Sequence, residues 1–262
     1  MAPDIRKSLG KFAPHFIEAR ESGLNEADTV MRLCKFFEDV LGYDSLEDIS
    51  REANLKSKFV DVCLKVDGAT RVLVEAKAAG QALRERHIEQ AQRYASENNF
   101  QWVLLSNGVD WHLYHLTFDD GIEYVRAFNV SLDGEDALEL AAENLSLLHK
   151  QSVRRGELEE FWERHSALSA ESIGRALFSE GALNLIRREI RRDTGLLIDP
   201  EDLGHAIHKL LSQDARELLG PMRIRRRRRP AKKAQGSSEG AGPSGPSVPP
   251  ESKSGVPDPK PA

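Results

Sequence analysis

The fold is decided by the stretch FVDVCLKVDGATRVLVEAKAAG, residues 59–80, in which two apolar runs flank a turn signal. Within residues 59–66 apolar and polar side chains alternate, which is the pattern of a half-buried strand. Residues 70–76 continue as a second strand beyond Asp67-Gly68, a dipeptide typical of tight hairpin turns. The stretch therefore predicts a β-hairpin. The apolar positions expected on one face of its first strand are Val60, Val62, Leu64 and Val66.

Three charged residues interrupt these apolar strands: Asp61 on the first, and Glu75 and Lys77 on the second. Because side chains alternate along a strand, Glu75 and Lys77 share one face. Asp61 joins them only if the connecting loop has an odd number of residues. We expect a three-residue loop, 67–69, which sets Asp61 directly opposite Glu75.

Two carboxylates placed so close repel each other unless they share a divalent cation or one of them is protonated. Magnesium is the natural cation, and Lys77 beside it can orient or help to deprotonate a water that attacks a phosphodiester. The alternative is a structural salt bridge, in which Lys77 pairs with Asp61 or Glu75 at the rim of a half-exposed sheet. Since short motifs match by chance, these three residues alone leave both interpretations open.

The flanking sequence is more specific than the three charges. It comprises NEADTV (25–30) ahead of LGYD (41–44), FVDVCL (59–64), VLVEAKAAG (72–80), IEQAQRYA (88–95) and LLSNGVDWHLY (104–114). Over about residues 24–116 the chain resembles the PD-(D/E)xK nucleases, and among them the N-terminal domain of type I restriction enzyme R subunits. The resemblance implies an α/β fold, a restriction-endonuclease-like mixed β-sheet flanked by helices, and a DNA nuclease that uses Mg²⁺ or Mn²⁺.

The resemblance also implies roles for individual residues. In these families an aspartate and a glutamate bind the metal, a lysine assists catalysis, and a helix glutamate lies near the metal. A Q-x-x-x-Y pair supports the active site or the DNA backbone. The corresponding residues here are Asp61, Glu75, Lys77, Glu26, and Gln90 with Tyr94.

The supporting residues have structural explanations as well. Gln90 and Tyr94 are four apart and share a helix face, as a surface glutamine and a core tyrosine also would. Glu26 lies in a first helical turn, where the helix dipole favours an acid. His87 lies in a charged helix surface, and we assign it no chemistry. The sequence also departs from the family, with Val60 in place of the name-giving proline.

The rest of the chain is read as helices and strands around the hairpin. Asn25 is expected to cap a helix that Gly42 stops, with apolar residues at helical spacing between them. After the hairpin we expect a helical stretch at 83–97, a strand at 102–105, an Asn107-Gly108 turn and a strand at 111–116, giving the order αββαββ. Beyond residue 134 the periodicity is helical, with a helix start at Asp199. The predicted divisions are a nuclease-like domain at 1–133, a helical extension at 134–222, and a basic run with a tail at 223–262.

Charge is distributed unevenly along the chain. The last 40 residues carry ten Lys and Arg against three Asp and Glu, so the net charge of −5 leaves −12 for residues 1–222. An acidic body disfavours a broad phosphate-binding face, so DNA contact must come from a local patch or from the basic run. From Pro230 onward, Pro, Gly, Ser and Ala dominate, which predicts a disordered tail. Weak candidates for nucleic-acid contact are Arg225, Arg226, Arg227, Arg228 and Arg229.

Composition excludes several other classes of protein. No apolar run approaches the length of a membrane span, and the N-terminus lacks the apolar stretch of a secretory signal, so we expect a soluble cytoplasmic protein. Cys34 and Cys63 form no metal-binding or disulfide pattern and are expected as small core residues. The sequence holds no G-x-x-x-x-G-K-[ST] phosphate loop, so ATP-driven translocation is not expected.

Two hypotheses of different class follow. The first is a magnesium-dependent DNA endonuclease, whose partners are DNA and further restriction or defence subunits encoded elsewhere. The second is a catalytically silent protein that keeps the nuclease fold and binds nucleic acid or a partner.

Overall fold

A computed structural model describes residues 3–55, 58–118, 121–134 and 136–224, while the side chains of 52–59, 90 and 94 lie outside this description. All described residues belong to one compact unit. Within them, β3 and β4 run parallel and the other neighbouring strands are antiparallel, which confirms the mixed α/β sheet. The six strands follow in sequential order: β1 (Ile49–Leu55), β2 (Lys58–Val66), β3 (Ala69–Ala76), β4 (Trp102–Ser106), β5 (Asp110–Thr117) and β6 (Glu123–Ser131).

The β2–β3 hairpin is confirmed, but the expected three-residue loop is wrong. Val66 pairs with Ala69, so only Asp67 and Gly68 form the turn. Both turn residues have positive φ, 53° and 78°, as the two-residue turn that matches strand twist requires. A two-residue loop by itself would place Asp61 on the face opposite Glu75.

A β-bulge in β3 adds the one residue that is needed to bring Asp61 to the same face of the sheet as Glu75. Leu64 pairs with Val72, whereas Lys65 pairs with Thr70, so Arg71 is an extra residue on β3. One extra residue reverses the alternation of all side chains beyond it. The bulge therefore gives the N-terminal half of β2 the register that the sequence predicts. The turn residues alone do not indicate that a bulge is present.

Helices cover both faces of the sheet. On one face, α1 (Arg6–Glu21) and α2 (Glu26–Asp39) bury their apolar residues against Val62, Leu64 and Val66 in a single core. On the other face, a 3₁₀ turn (Glu85–His87) and α3 (Glu89–Asn98) cross over between the parallel strands β3 and β4. Val60 belongs to the core on this second face, and so departs from the face predicted for it. Cys63 is buried in the second core, and Cys34 packs partly buried against the first, as expected.

Helix α2 begins where the sequence indicates. The Asn25 side chain accepts a hydrogen bond from the Asp28 backbone N–H at 2.9 Å, a cap that contributes about 1 kcal/mol. Gly42, with φ of 73°, follows the end of the helix. The Asn107-Gly108 turn is also present, and the positive φ of Gly108 and its closeness to Phe16 leave no room for a side chain there. Each of these signals acts within a few residues, so the sequence alone was sufficient to predict the cap and the turns.

A series of helices follows the sheet, as the periodicity beyond residue 134 predicts. Leu145, Leu148 and Leu158 from this region belong to the core beneath α1 and α2. Asp199 caps its helix by accepting a hydrogen bond from the Glu201 N–H at 2.8 Å. The domain divisions at 133 and 222 stay a prediction. The helices are α4 (Ala137–Ser146), α5 (Lys150–Arg154), α6 (Glu157–Ala167), α7 (Ala170–Leu177), α8 (Glu180–Thr194), α9 (Pro200–Leu210) and α10 (Gln213–Leu219).

Three elements were not predicted: α1, β1 and β6. Pro14 lies inside α1, and an internal proline ordinarily argues against a helix. The strands β1 and β6 are the edges of the sheet, and the outer strand β6 leaves Val125 and Arg126 exposed, so its alternation is weak. Among the described helices none has both the length and the hydropathy to cross a membrane.

Candidate active site

The register of the hairpin brings Asp61 and Glu75 together. Val62 pairs with Val74, and one step further along the two strands Asp61 stands across from Glu75. The Asp61 side chain is fixed to the neighbouring strand, because its Oδ2 accepts a hydrogen bond from the Ala76 N–H at 2.7 Å. This bond fastens one carboxylate to the end of β3, where the second carboxylate also lies.

Lys77 completes the cluster from the residue that follows β3. Its Nζ donates to Glu75 Oε1 at 2.7 Å and lies 3.4 Å from Glu26 Oε2. The Glu75 and Lys77 side chains are only 5% and 13% exposed, whereas Glu26 is 48% exposed. The structure therefore brings together four of the residues singled out in the sequence, with Glu26 at the solvent side.

Backbone contacts hold this corner of the fold in place. The Lys77 N–H donates to the Ser106 carbonyl at 2.9 Å, which extends the parallel β3–β4 pairing past the end of β3. The Ala79 N–H donates to the Leu24 carbonyl at 3.1 Å, which ties the chain after Lys77 to the start of α2. The first turn of α2, and with it Glu26, is thus held close to the end of β3.

Burial and neighbouring charges shift the pKa values of both Glu75 and Lys77. Burial, followed by the negative charge of Asp61, raises the pKa of Glu75 to about 7, against the opposing effect of Lys77. Burial lowers the pKa of Lys77, but the hydrogen bond to Glu75 and the charges of Glu75, Glu26 and Asp61 outweigh it and raise that pKa. The lysine is therefore an ammonium ion at neutral pH, while burial and Asp61 make the charged form of Glu75 costly.

The two carboxylate oxygens of Glu75 differ in their surroundings. Its Oε2 is buried and has no hydrogen-bond partner among the described residues, which is costly for a carboxylate oxygen. In the described part of the chain no three His, Cys, Asp and Glu side chains form a group that could hold a metal ion. Asp61 and Glu75 form a two-carboxylate set instead, and Mg²⁺ commonly binds proteins through one or two carboxylates, with water and substrate phosphates as its other ligands.

The remaining predicted site residues fall outside what the structure describes. Gln90 and Tyr94 lie in α3, but their side chains are outside the described residues. Residues 225–229, the arginines of the basic run, are outside them as well. Their assigned roles stay predictions.

His87, for which the sequence indicates no chemistry, is close enough to the cluster to feel the charges of Lys77 and Glu26. Burial and then the charge of Lys77 lower its pKa, whereas Glu26 raises it. Its Nδ1 accepts a hydrogen bond from the Arg84 N–H at 3.2 Å, and its Nε2 is 3.3 Å from Gln81 Nε2. The 3₁₀ turn that places the ring here has no spacing signal, so the sequence could not indicate this position.

Comparison with known proteins locates the similarity on this part of the chain. Residues 32–128 match the family described as the type I restriction enzyme R protein N terminus. The matched segment contains Asp61, Glu75 and Lys77, whereas Glu26 precedes it. Comparison with curated proteins and with solved structures found no significant match. Over residues 32–128 the chain is similar to the N-terminal segment of type I restriction enzyme R proteins, which confirms the resemblance that the sequence motifs carry.

Proposed function

We propose that this protein is a divalent-metal-dependent endodeoxyribonuclease of a restriction or defence system. The family match over residues 32–128 supports a relation to restriction enzymes. Support for the chemistry comes from the cluster at the end of β3, which has two carboxylates and an ammonium in a largely buried position. DNA is the proposed substrate, and further restriction or defence subunits are the proposed partners.

The observation that carries the proposal is the state of Glu75. One oxygen is bound by Lys77, the other is buried without a partner among the described residues, and the pKa is raised to about 7. A carboxylate with these surroundings is stabilised either by a proton or by a cation. The proposed ligand is Mg²⁺ or Mn²⁺, held by Asp61 and Glu75.

The protein side chains have distinct roles in this proposal. When bound, the metal supplies Lewis-acid stabilisation of the charge that develops on the phosphate. Lys77, as an ammonium ion, donates hydrogen bonds that position the attacking water and the phosphate oxygens. Its raised pKa makes this role more suitable than proton abstraction. Glu26, half-exposed at 3.4 Å from Lys77, holds the lysine from the solvent side.

A second candidate function rests on the same ion pair. Lys77 already neutralises Glu75 at 2.7 Å, as it would in a structural salt bridge that needs no metal. Under this alternative the chain is a catalytically silent protein that retains the nuclease fold and binds nucleic acid or a partner.

Plasmid cleavage distinguishes the two functions. We expect purified protein to nick or linearise plasmid DNA with Mg²⁺ or Mn²⁺ and to lose this activity in EDTA. Glu75→Gln should reduce cleavage by about 10²-fold or more, because it replaces a charged metal ligand with a neutral, weaker one. Glu47→Gln, the same chemical change at an exposed residue, is the matched control and should cleave normally.

Two results would argue against the nuclease. Cleavage that persists in Glu75→Gln would exclude the proposed site. Wild-type protein that binds DNA but does not cleave it with either metal would favour the silent alternative.

A further inference from the structure

A groove lined by arginines lies beside α8, beyond the segment that matches the restriction family. It has a volume of about 450 Å³ and lies between α8 and the chain that follows it. No carboxylate side chain is found among the described residues that line it. The lining residues are Asn184, Arg187, Arg188, Arg191, Leu196, Leu197 and Ile198.

The first arginine is held in place by the groove itself. Arg187 Nε donates to the Ile198 carbonyl at 2.6 Å, and Nη1 donates to Asn184 Oδ1 at 3.1 Å. A half-buried guanidinium fixed by two neutral acceptors keeps its full charge and loses little side-chain entropy when it binds an anion. Arg187 is therefore a preorganised cation in the lining of the groove.

The other two arginines of the groove are exposed and available. Among the described residues no hydrogen bond or ion pair engages the side chain of Arg188 or Arg191. The nearby acids of α8, Glu189 and Asp193, both form ion pairs with Arg192 instead. The positive charge of the groove is thus not cancelled by its own helix.

We propose that this groove binds the phosphodiester backbone of DNA, as a contact separate from the cluster at the end of β3. The choice of DNA rests on the proposed nuclease function. Arg187 and Arg191 are four residues apart, about 6 Å along the helix axis, and share one face of α8. The guanidinium fork binds phosphate oxygens in pairs. Exposed Leu196 and Leu197 (64% and 74%) offer an apolar surface beside the charges for the sugars.

Charge argues for a polyanion and against the chain's own basic run. Residues 1–222 carry a net −12, because the last 40 residues hold ten Lys and Arg against three Asp and Glu and the whole chain is −5. On such a body, a groove whose described lining holds three cations and no acid attracts phosphate. The run at 223–233 carries eight cations and would be repelled from it.

The test is DNA binding by the double variant Arg188→Gln/Arg191→Gln in the full-length protein. Fluorescence anisotropy with a short labelled duplex, in EDTA so that no cleavage occurs, should show about a tenfold or greater loss of affinity near 0.1 M salt. The slope of log K against log salt should become shallower by about 2, since each phosphate contact contributes about 0.9. The matched control, Arg164→Gln/Arg175→Gln, removes two arginines that pair with Glu160 and Glu171, and should change affinity and slope much less.

The possible outcomes separate this proposal from the nuclease proposal. If the wild type binds DNA and the groove variant binds equally well, the groove proposal is overturned whatever the plasmid assay shows. If the groove variant alone loses DNA affinity while the wild type fails to cleave, the groove stands and the nuclease proposal falls. Binding of polyglutamate in place of DNA, lost in the groove variant, would overturn DNA as the ligand in favour of an acidic protein partner.

Discussion

Lys77 is a single positive charge surrounded by three carboxylates. It contacts buried Glu75 directly, lies near half-exposed Glu26, and is influenced by the charge of Asp61. A buried ion pair is weak evidence for stability by itself, but removing one partner is strongly destabilising. The same substitution at Lys77 therefore has different consequences for a metal site and for a structural salt bridge.

We expect Lys77→Ala to abolish cleavage, by about 10²-fold or more, while leaving the fold and most DNA binding intact when magnesium is present. Removing the lysine leaves Asp61 and Glu75 able to share the cation, so the site stays neutral, but the attacking water loses the donor that positions it. Plasmid nicking and the melting temperature, each with and without Mg²⁺, measure the two effects. Lys35→Ala, at an exposed lysine on α2, is the control.

The structural salt bridge predicts the opposite pattern for Lys77→Ala. Without a metal, the substitution leaves a buried carboxylate uncompensated, which costs about 3–5 kcal/mol. The melting temperature would then fall by about 10 °C in a domain of this size and would not respond to magnesium. Cleavage at the wild-type rate by this variant would rule out a catalytic lysine.

At the scale of the elements, signals that act over a few residues were predictive. The Asn25 cap, the Asp67-Gly68 turn and the Asp199 helix start all appear where the sequence placed them. The bulge at Arg71 was not predictable, because a bulge depends on how two strands settle against helices and not on a residue type. The grouping of Asp61 with Glu75 was expected for the wrong reason, an odd loop, and arises from the bulge.

The packing of α6 on the sheet gives a prediction about pH. His115 of β5 stacks on Trp162 of α6, with ring centroids 4.3 Å apart and planes at 18°. Burial lowers the pKa of His115 to about 4. Between about pH 6.5 and pH 4 the unfolded chain takes up a proton at this residue and the folded chain does not. The contribution of His115 to stability is therefore present above pH 6.5 and is lost as the pH falls towards 4.

We expect acidification from pH 7 to pH 4 to lower the free energy of unfolding by up to about 3 kcal/mol through this residue. His115→Phe keeps an aromatic ring in contact with Trp102 and Trp162 and should remove this part of the pH dependence, as measured by urea unfolding at several pH values. His15→Gln, at an exposed histidine of α1, is the control. An unchanged slope in His115→Phe would show that the acid sensitivity lies elsewhere.

At the scale of the whole molecule, the charged residues of the candidate site were easier to predict from the sequence than the surfaces around them. Asp61, Glu75 and Lys77 were predictable because charges within apolar strands are rare and costly. The nearness of Glu26 came from the resemblance, since only the packing of α2 against the end of β3 brings it to the lysine. The groove beside α8 was not predicted from the sequence, because only the fold places residues 196–198 alongside the arginines of the helix.

DNA binding by the whole chain depends on where its positive charge lies. The body is acidic and the run at 223–233 carries eight cations, so we expect this run to supply most of the non-specific affinity. Deleting residues 223–262 should weaken binding and flatten the salt dependence. A slope change of about 4 to 5 would correspond to the five arginines at 225–229, against about 2 for the groove variant.

A full-length variant with glutamine at all five of these positions separates charge from length. If it behaves as the deletion does, counterion release from the arginines accounts for the effect. If the two cationic regions contact different phosphates, their effects on the salt slope should add when the variants are combined. Equal affinity and slope in the deletion and the wild type would mean that the run is only a solvated tail, and that DNA is held by the folded body.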